Sequence, residues 1–136
     1  MVRLIMSASG EGKTKQLLEL MNNAAETEAG CMVCIEAHRS MSFNLRHQTR
    51  LVDASEYNIT SFEALRGFIC GMYAANYDIT HIFIDNLCKV VKNNDYHEVG
   101  NFLAWLDSFV SPMSIKVTAT ISADPSTATD AMRKYM

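Results

Sequence analysis

The sequence predicts an α/β fold, a three-layer sandwich on a mostly parallel sheet of about five strands. Three observations carry that expectation. The runs Cys31-Met32-Val33-Cys34-Ile35 and Ile82-Phe83-Ile84 are short, apolar and continuous, as befits strands covered on both faces. Stretches between and after them place apolar residues at helical spacing. Strands and helices alternate along the chain, the order that yields crossovers and parallel pairing. With 136 residues, a single domain over 1–136 is expected, large enough to bury roughly two-thirds of its chain surface.

Val2-Arg3-Leu4-Ile5-Met6 reads as the first strand. Residues 7–14, SASGEGKT, follow it, and Lys15-Gln16-Leu17-Leu18-Glu19-Leu20-Met21 then opens a helix. Strand, glycine-containing loop and Gly-Lys-Thr at a helix start is the arrangement of a phosphate-binding loop. Gly10 and Gly12 let successive backbone N–H groups turn toward one anion, and the helix dipole adds its positive end. Lys13 supplies a mobile cation for the β- and γ-phosphates, and Thr14 a hydroxyl for Mg²⁺. Ser9, Glu11 and Lys15 complete the residues expected around the nucleotide. Ser7 departs from the usual G-x-x-x-x-G-K-[ST] spacing, where the first position is glycine. An ordinary polar loop before an amphipathic helix is the alternative.

The first helix is expected to run to Ala29, with Leu17, Leu18, Met21, Ala24 and Ala25 on its apolar side and Gly30 as its stop. The next strand ends in Glu36-Ala37-His38-Arg39. Ligands of open α/β sheets lie beyond the carboxyl ends of strands, so this polar cluster is expected near the phosphates. Cys31 and Cys34 form a C-x-x-C, but within a strand no turn brings both sulfurs to one metal, and Cys70 and Cys88 stand alone. Core thiols are the expectation. Residues 40–48 are polar, with room for a short helix. Arg50-Leu51-Val52-Asp53-Ala54 reads as a strand toward a sheet edge.

Thr60-Ser61-Phe62-Glu63 has the capping-box pattern, opening a helix with Phe62, Leu65, Phe68, Ile69, Met72 and Tyr73 on one face. Gly67 and Gly71, four apart, would allow it to pack closely on a sheet. Thr80-His81-Ile82-Phe83-Ile84-Asp85-Asn86 is an apolar strand ending in a carboxylate, placed to support Mg²⁺ across from the phosphate loop; a strand-capping Asp is the alternative. Asp95 and Glu98 begin another helix with Val99, Phe102, Leu103, Leu106, Phe109 and Val110 buried, closed by Pro112. Trp105 is expected to pack between helices rather than stack on a base. Ile115-Lys116-Val117-Thr118-Ala119-Thr120-Ile121 alternates in polarity, which is not what a central strand should show. Asp124 and Pro125 would start a last helix carrying Ala128, Ala131, Met132 and Tyr135.

A net charge of −3 argues against a broad nucleic-acid surface, so nucleic acid is not expected as a main ligand. No apolar run approaches the ~20 residues that span a bilayer. Arg3, Glu11 and Lys13 break up the N-terminal run, which excludes a signal peptide and leaves the cytoplasm as the expected compartment.

With the phosphate loop first, then a strand ending in acidic and polar residues, an apolar strand ending in Asp and a further strand with a polar tip, the chain resembles the RecA-like core of P-loop NTPases. That resemblance makes residues 7–14 a Walker A element and Asp85 a Walker B residue. It implies that Glu36 or His38 orients the attacking water, and that Ser122 senses the γ-phosphate. The chain is also similar to small stand-alone bacterial P-loop proteins sometimes labelled twitching-motility ATPases, though no residue supports a pilus role. Asn86 stands where many such ATPases carry a catalytic Glu, which removes a base and implies slow or absent hydrolysis.

Three functions follow as expectations. The first is binding of ATP, or another nucleoside triphosphate, with Mg²⁺ held by Thr14 and Asp85 and with weak hydrolysis. The second is a small nucleoside or metabolite kinase, with Arg39, Arg46 and Arg50 as lid arginines. The third is a non-hydrolysing switch or subunit of a homo-oligomer or partner assembly.

Overall fold

The computed structural model describes residues 1–8, 12–38 and 49–136, without the side chains of residues 13 and 14. In chain order the elements are β1 (Val2–Ser7), α1 (Lys13–Thr27), β2 (Cys31–Glu36), β3 (Thr49–Asp53), α2 (Phe62–Ala75), β4 (Ile79–Asp85), α3 (Leu87–Val91), α4 (Tyr96–Val110), β5 (Lys116–Ser122) and α5 (Asp130–Arg133). The expected helix within residues 40–48, with Arg39 and Arg46, lies outside the described residues.

The five strands form one sheet in the order β1-β5-β4-β2-β3, and every pairing is parallel. β3 takes an edge, as its short sequence suggested. β5 does not: despite its alternating polarity it lies between β1 and β4. Its threonines explain this. Thr118 and Thr120 are buried, and each hydroxyl meets a polar group of β4, His81 at 3.0 Å and Asp85 at 3.0 Å. A buried hydroxyl with a partner carries little of the usual desolvation cost.

Helices cover both faces. On one side α1 packs Leu17 and Met21 onto Met32, Cys34 and Phe83. On the other, Leu65 and Ile69 of α2, Leu87 of α3, Phe102 and Leu106 of α4 and Met132 of α5 pack with Val33, Ile35, Ile82 and Ile84. Each such side chain contributes about 2 kcal/mol by leaving water. Cys34 belongs to the α1 side and Cys31 packs against the other, since strand residues three apart face opposite ways. Both thiols are free.

Several helix ends differ from expectation. α1 stops at Thr27, and Glu28 caps it in extended conformation. Gly30 is therefore no left-handed stop. A Cβ there would stand 2.2 Å from the Asp78 carbonyl oxygen and 2.4 Å from Thr80 Cγ2, so glycine is required for close approach of two chain segments. Gly67 and Gly71, by contrast, do not pack on the sheet: a Cβ at either would meet nothing within 4 Å. Ser61 rather than Thr60 caps α2, accepting from the Ala64 N–H at 3.0 Å. Asp95 caps α4 through the His97 N–H at 2.9 Å, while Glu98 accepts from the Asn93 carboxamide at 2.6 Å instead of returning to the cap. Asp124 and Pro125 start only a 3₁₀ turn, and Thr129 caps the separate α5. Beyond α5 the Tyr135 carbonyl accepts from the Leu4 N–H at 2.8 Å, covering the outer edge of β1. No helix among the described residues is long and apolar enough to cross a membrane.

Candidate functional site

All five strands finish at the same edge of the sheet, and each finishes on a polar residue: Ser7, Glu36, Asp53, Asp85 and Ser122. Register aligns Ser7 with Ser122, and Glu36 with both Asp85 and Asp53. Residues in register point to one face. That face is the one α1 covers, because Cys34 and Phe83, two residues before Glu36 and Asp85, pack beneath α1. Parallel pairing thus gathers groups scattered over most of the chain.

α1 rises from this edge just after β1. Gly12 caps it at φ 78°, ψ 21°, a left-handed conformation that glycine adopts without penalty. No side chain bonds its first-turn N–H groups among the described residues, and its first turn holds no acid. α2 and α4 begin differently, on the capping side chains of Ser61 and Asp95 with Glu63 and Glu98 in their first turns. An uncapped N-terminus offers unsatisfied donors and the positive end of the dipole to an anion. Beside it the Ser7 hydroxyl is buried with no partner among the described residues.

Asp85 is 9% exposed. Thr120 donates to its Oδ1 at 3.0 Å and, through the same oxygen, accepts from the Asn86 N–H at 2.8 Å. One threonine therefore holds both the carboxylate and the turn after it. Asn86 caps α3 at φ 57°, ψ 68°. Asn tolerates this left-handed backbone far better than Glu, so the residue found in place of a base is one that the backbone favours. Glu36 is buried, at 2% exposure. The Cys34 thiol is pushed well above its ordinary pKa, first by burial and then by the charges of Glu36 and Asp85.

The structure brings Glu36, Asp85 and Ser122 to one edge, with Gly12 at the head of the helix that follows β1. β4 is not adjacent to β1, however; β5 intervenes, and with it Thr120 and Ser122. His38 is exposed beyond the end of β2, and Lys15 is exposed in the first turn of α1. Ser9, Gly10 and Glu11 lie outside the described residues, as do the side chains of Lys13 and Thr14. Trp105 stacks on Phe109 at 5.3 Å, with the Arg66 guanidinium 5.5 Å from its ring, and is a packing residue. Sequence reasoning missed Thr120, whose signal was the polar alternation of β5. It also missed Lys89, Lys92, Asn94 and Tyr96, which line a cavity with Asn86 and Ser122.

A second polar group sits at the opposite end of the same face. His81 Nε2 lies 3.0 Å from the Thr118 hydroxyl, and its ring stacks on Phe83 at 3.9 Å. Lys116 Nζ pairs with Glu28 Oε1 at 2.8 Å, and His81 Nδ1 lies 3.5 Å from the same oxygen. Burial lowers the His81 pKa to about 4, against the opposing pull of the Glu28 charge.

The all-parallel sheet with helices on both faces and polar strand tips at one edge defines an open α/β core of the expected class. No described protein family matches the chain by sequence, and no curated protein does. Among solved structures, the chain is similar to a KaiC-like protein from the hyperthermophilic archaeon Pyrococcus horikoshii. The TM-score is 0.69 at 14% identity, over 98% of this chain and 68% of that one. The likeness is one of fold, and lends nothing to a twitching-motility label.

Proposed function

We propose that the carboxyl edge of the sheet binds a nucleoside triphosphate, ATP in the first instance, with Mg²⁺, and hydrolyses it slowly. One observation carries the reading. α1 alone of the three long helices begins on a left-handed glycine with neither a capping side chain nor an acid in its first turn, and it does so above the in-register Glu36–Asp85 pair.

The phosphates would lie on the N–H groups at the head of α1, with Gly12 giving the turn and residues 9–11 the rest of the loop. Lys13 would neutralise the β- and γ-phosphates. Among the described residues no cluster of three or more His, Cys, Asp or Glu stands ready to hold a metal by itself. Magnesium fits that arrangement, because it is commonly held by one or two carboxylates with phosphate oxygens and water. Thr14 and Asp85 are its assigned protein ligands, Asp85 already oriented by Thr120. Bound there, Mg²⁺ would neutralise charge developing on the transferred phosphoryl group. Glu36, or the more exposed His38, would orient water, and Ser122 would meet the γ-phosphate. With Asn86 after Asp85, no second carboxylate serves as base from β4, which keeps turnover low.

Thermal unfolding with ATP, GTP and ADP, each with and without Mg²⁺, tests this reading. Ligand that binds only the native state raises the midpoint by mass action. A rise with Mg–ATP that vanishes in Lys13→Ala is the expected result. Equal stabilisation of both proteins would remove the reading.

A further inference from the structure

On the other side of the β4 and β5 tips, away from α1, lies a cavity of about 450 Å³. Its walls come from the α3 segment and the approach to α4: Asn86, Lys89, Lys92, Asn94 and Tyr96, with Ser122 at the strand tip. We propose that this cavity is a second ligand site, for a small anionic molecule bearing a phosphate or carboxylate group. The proposal shares Asn86 and Ser122 with the nucleotide site and otherwise stands apart from that reading.

Three observations support it. Among the described residues two lysines line the cavity and no acidic residue does, in a chain whose net charge is −3. The remaining polar lining consists of carboxamides, a phenol and a hydroxyl, which donate hydrogen bonds to oxygen anions. Second, Lys92 is held at φ 55°, ψ 43°, where Gly or Asn would be less strained, and Asn86 at the other end of α3 is left-handed as well. Strained backbone persists where the surroundings enforce it and clusters at ligand sites. Third, the wall is preformed. The Asn93 N–H bonds the Cys88 carbonyl at 3.0 Å, the Asn93 side chain accepts from the Asp95 N–H at 2.8 Å, and its carboxamide donates to Glu98. A wall held by its own bonds has little ordering entropy left to lose on binding.

Size and rim favour a small molecule over a polymer. The volume falls in the range of metabolite pockets. Asp95 and Asp124, both exposed, follow the lining residues Asn94 and Ser122 by one and two positions. Such carboxylates would repel a polyanion lying across the mouth more than one anionic group held between Lys89 and Lys92.

The experiment is amide NMR with inorganic phosphate titrated at constant ionic strength. Saturable shifts at Lys89, Lys92, Asn94 and Tyr96 are expected. Lys92→Asn, which keeps the left-handed backbone and drops the charge, should weaken them about tenfold, as befits loss of one charge-assisted contact. Lys13→Ala should leave them unchanged. Shifts confined to the head of α1, or no saturation, would overturn the proposal while leaving the nucleotide reading intact. So would a single-stranded oligonucleotide that displaces phosphate with a steep salt dependence, since that would mark the site as one for polymers.

Discussion

The strand pair β4–β5 carries buried polar side chains at both ends of the face beneath α1, and the two ends are finished differently. At the amino end, His81 meets Thr118, and Glu28 from the end of α1 meets Lys116 while lying near His81. At the carboxyl end, Asp85 meets Thr120 through Oδ1. Ser7 and the N–H groups heading α1 stand at that same edge without side-chain partners among the described residues. Threonine orients a β4 side chain in both places. Among the described residues the amino end joins four side chains in one network, although His81 Nδ1 itself has no hydrogen bond there. Polar groups that satisfy one another hold the fold together, whereas polar groups gathered and left open cost stability unless something else binds them.

The largest expected effect tests the closed end. The folded-state pKa of His81 is lowered to about 4 from 6.5, so the unfolded chain binds more protons between those values. The stability tied to neutral His81 is complete above pH 6.5 and is lost progressively as pH falls toward 4, on the order of 3 kcal/mol in all. Urea unfolding across that window should show the loss, and His81→Phe should flatten it. A wild-type profile already flat from 6.5 to 4 would show that the amino end admits charge and is not closed.

Next comes the open end. Asp85→Asn preserves shape and removes the charge that would face Mg²⁺. The Mg²⁺-dependent part of ATP affinity should fall about thirtyfold, or about 2 kcal/mol, in calorimetric titration. Stability without ligand should hold or rise, since a buried charge is gone. A marked loss of stability without ligand would place Asp85 with the structural groups.

The smallest effects compare the threonines directly. Thr120→Val removes a hydrogen bond to a carboxylate and one to a backbone N–H, and should cost about 1.5 kcal/mol in urea unfolding while also weakening Mg–ATP. Thr118→Val should cost about 1 kcal/mol and leave Mg–ATP binding unchanged. Equal effects of both on nucleotide affinity would erase the distinction between the ends.

Much of this was readable in advance where the signal is local. The glycine turn at the start of the first helix, the apolar β2 and β4 runs and the terminal carboxylates of both came from neighbours in the chain. Gly30 was misread because the atoms it must avoid, at Asp78 and Thr80, lie some fifty residues away. The polarity of β5 argued against an inner position for the same reason, since the partners of Thr118 and Thr120 sit on another strand. Lys89 and Lys92 gave no warning, because two exposed lysines in a polar stretch look alike whether they edge a cavity or not.

Periodicity and punctuation, taken alone, determined that this chain alternates strands with amphipathic helices and that a glycine turn joins its first strand to its first helix. Both are properties of spacing along a backbone of known pitch. The order of strands, the alignment of Glu36 with Asp85 and the place of Thr120 on the other side of Asp85 were decided only in three dimensions. Each depends on which segments pack side by side, and that choice is made by the whole core at once.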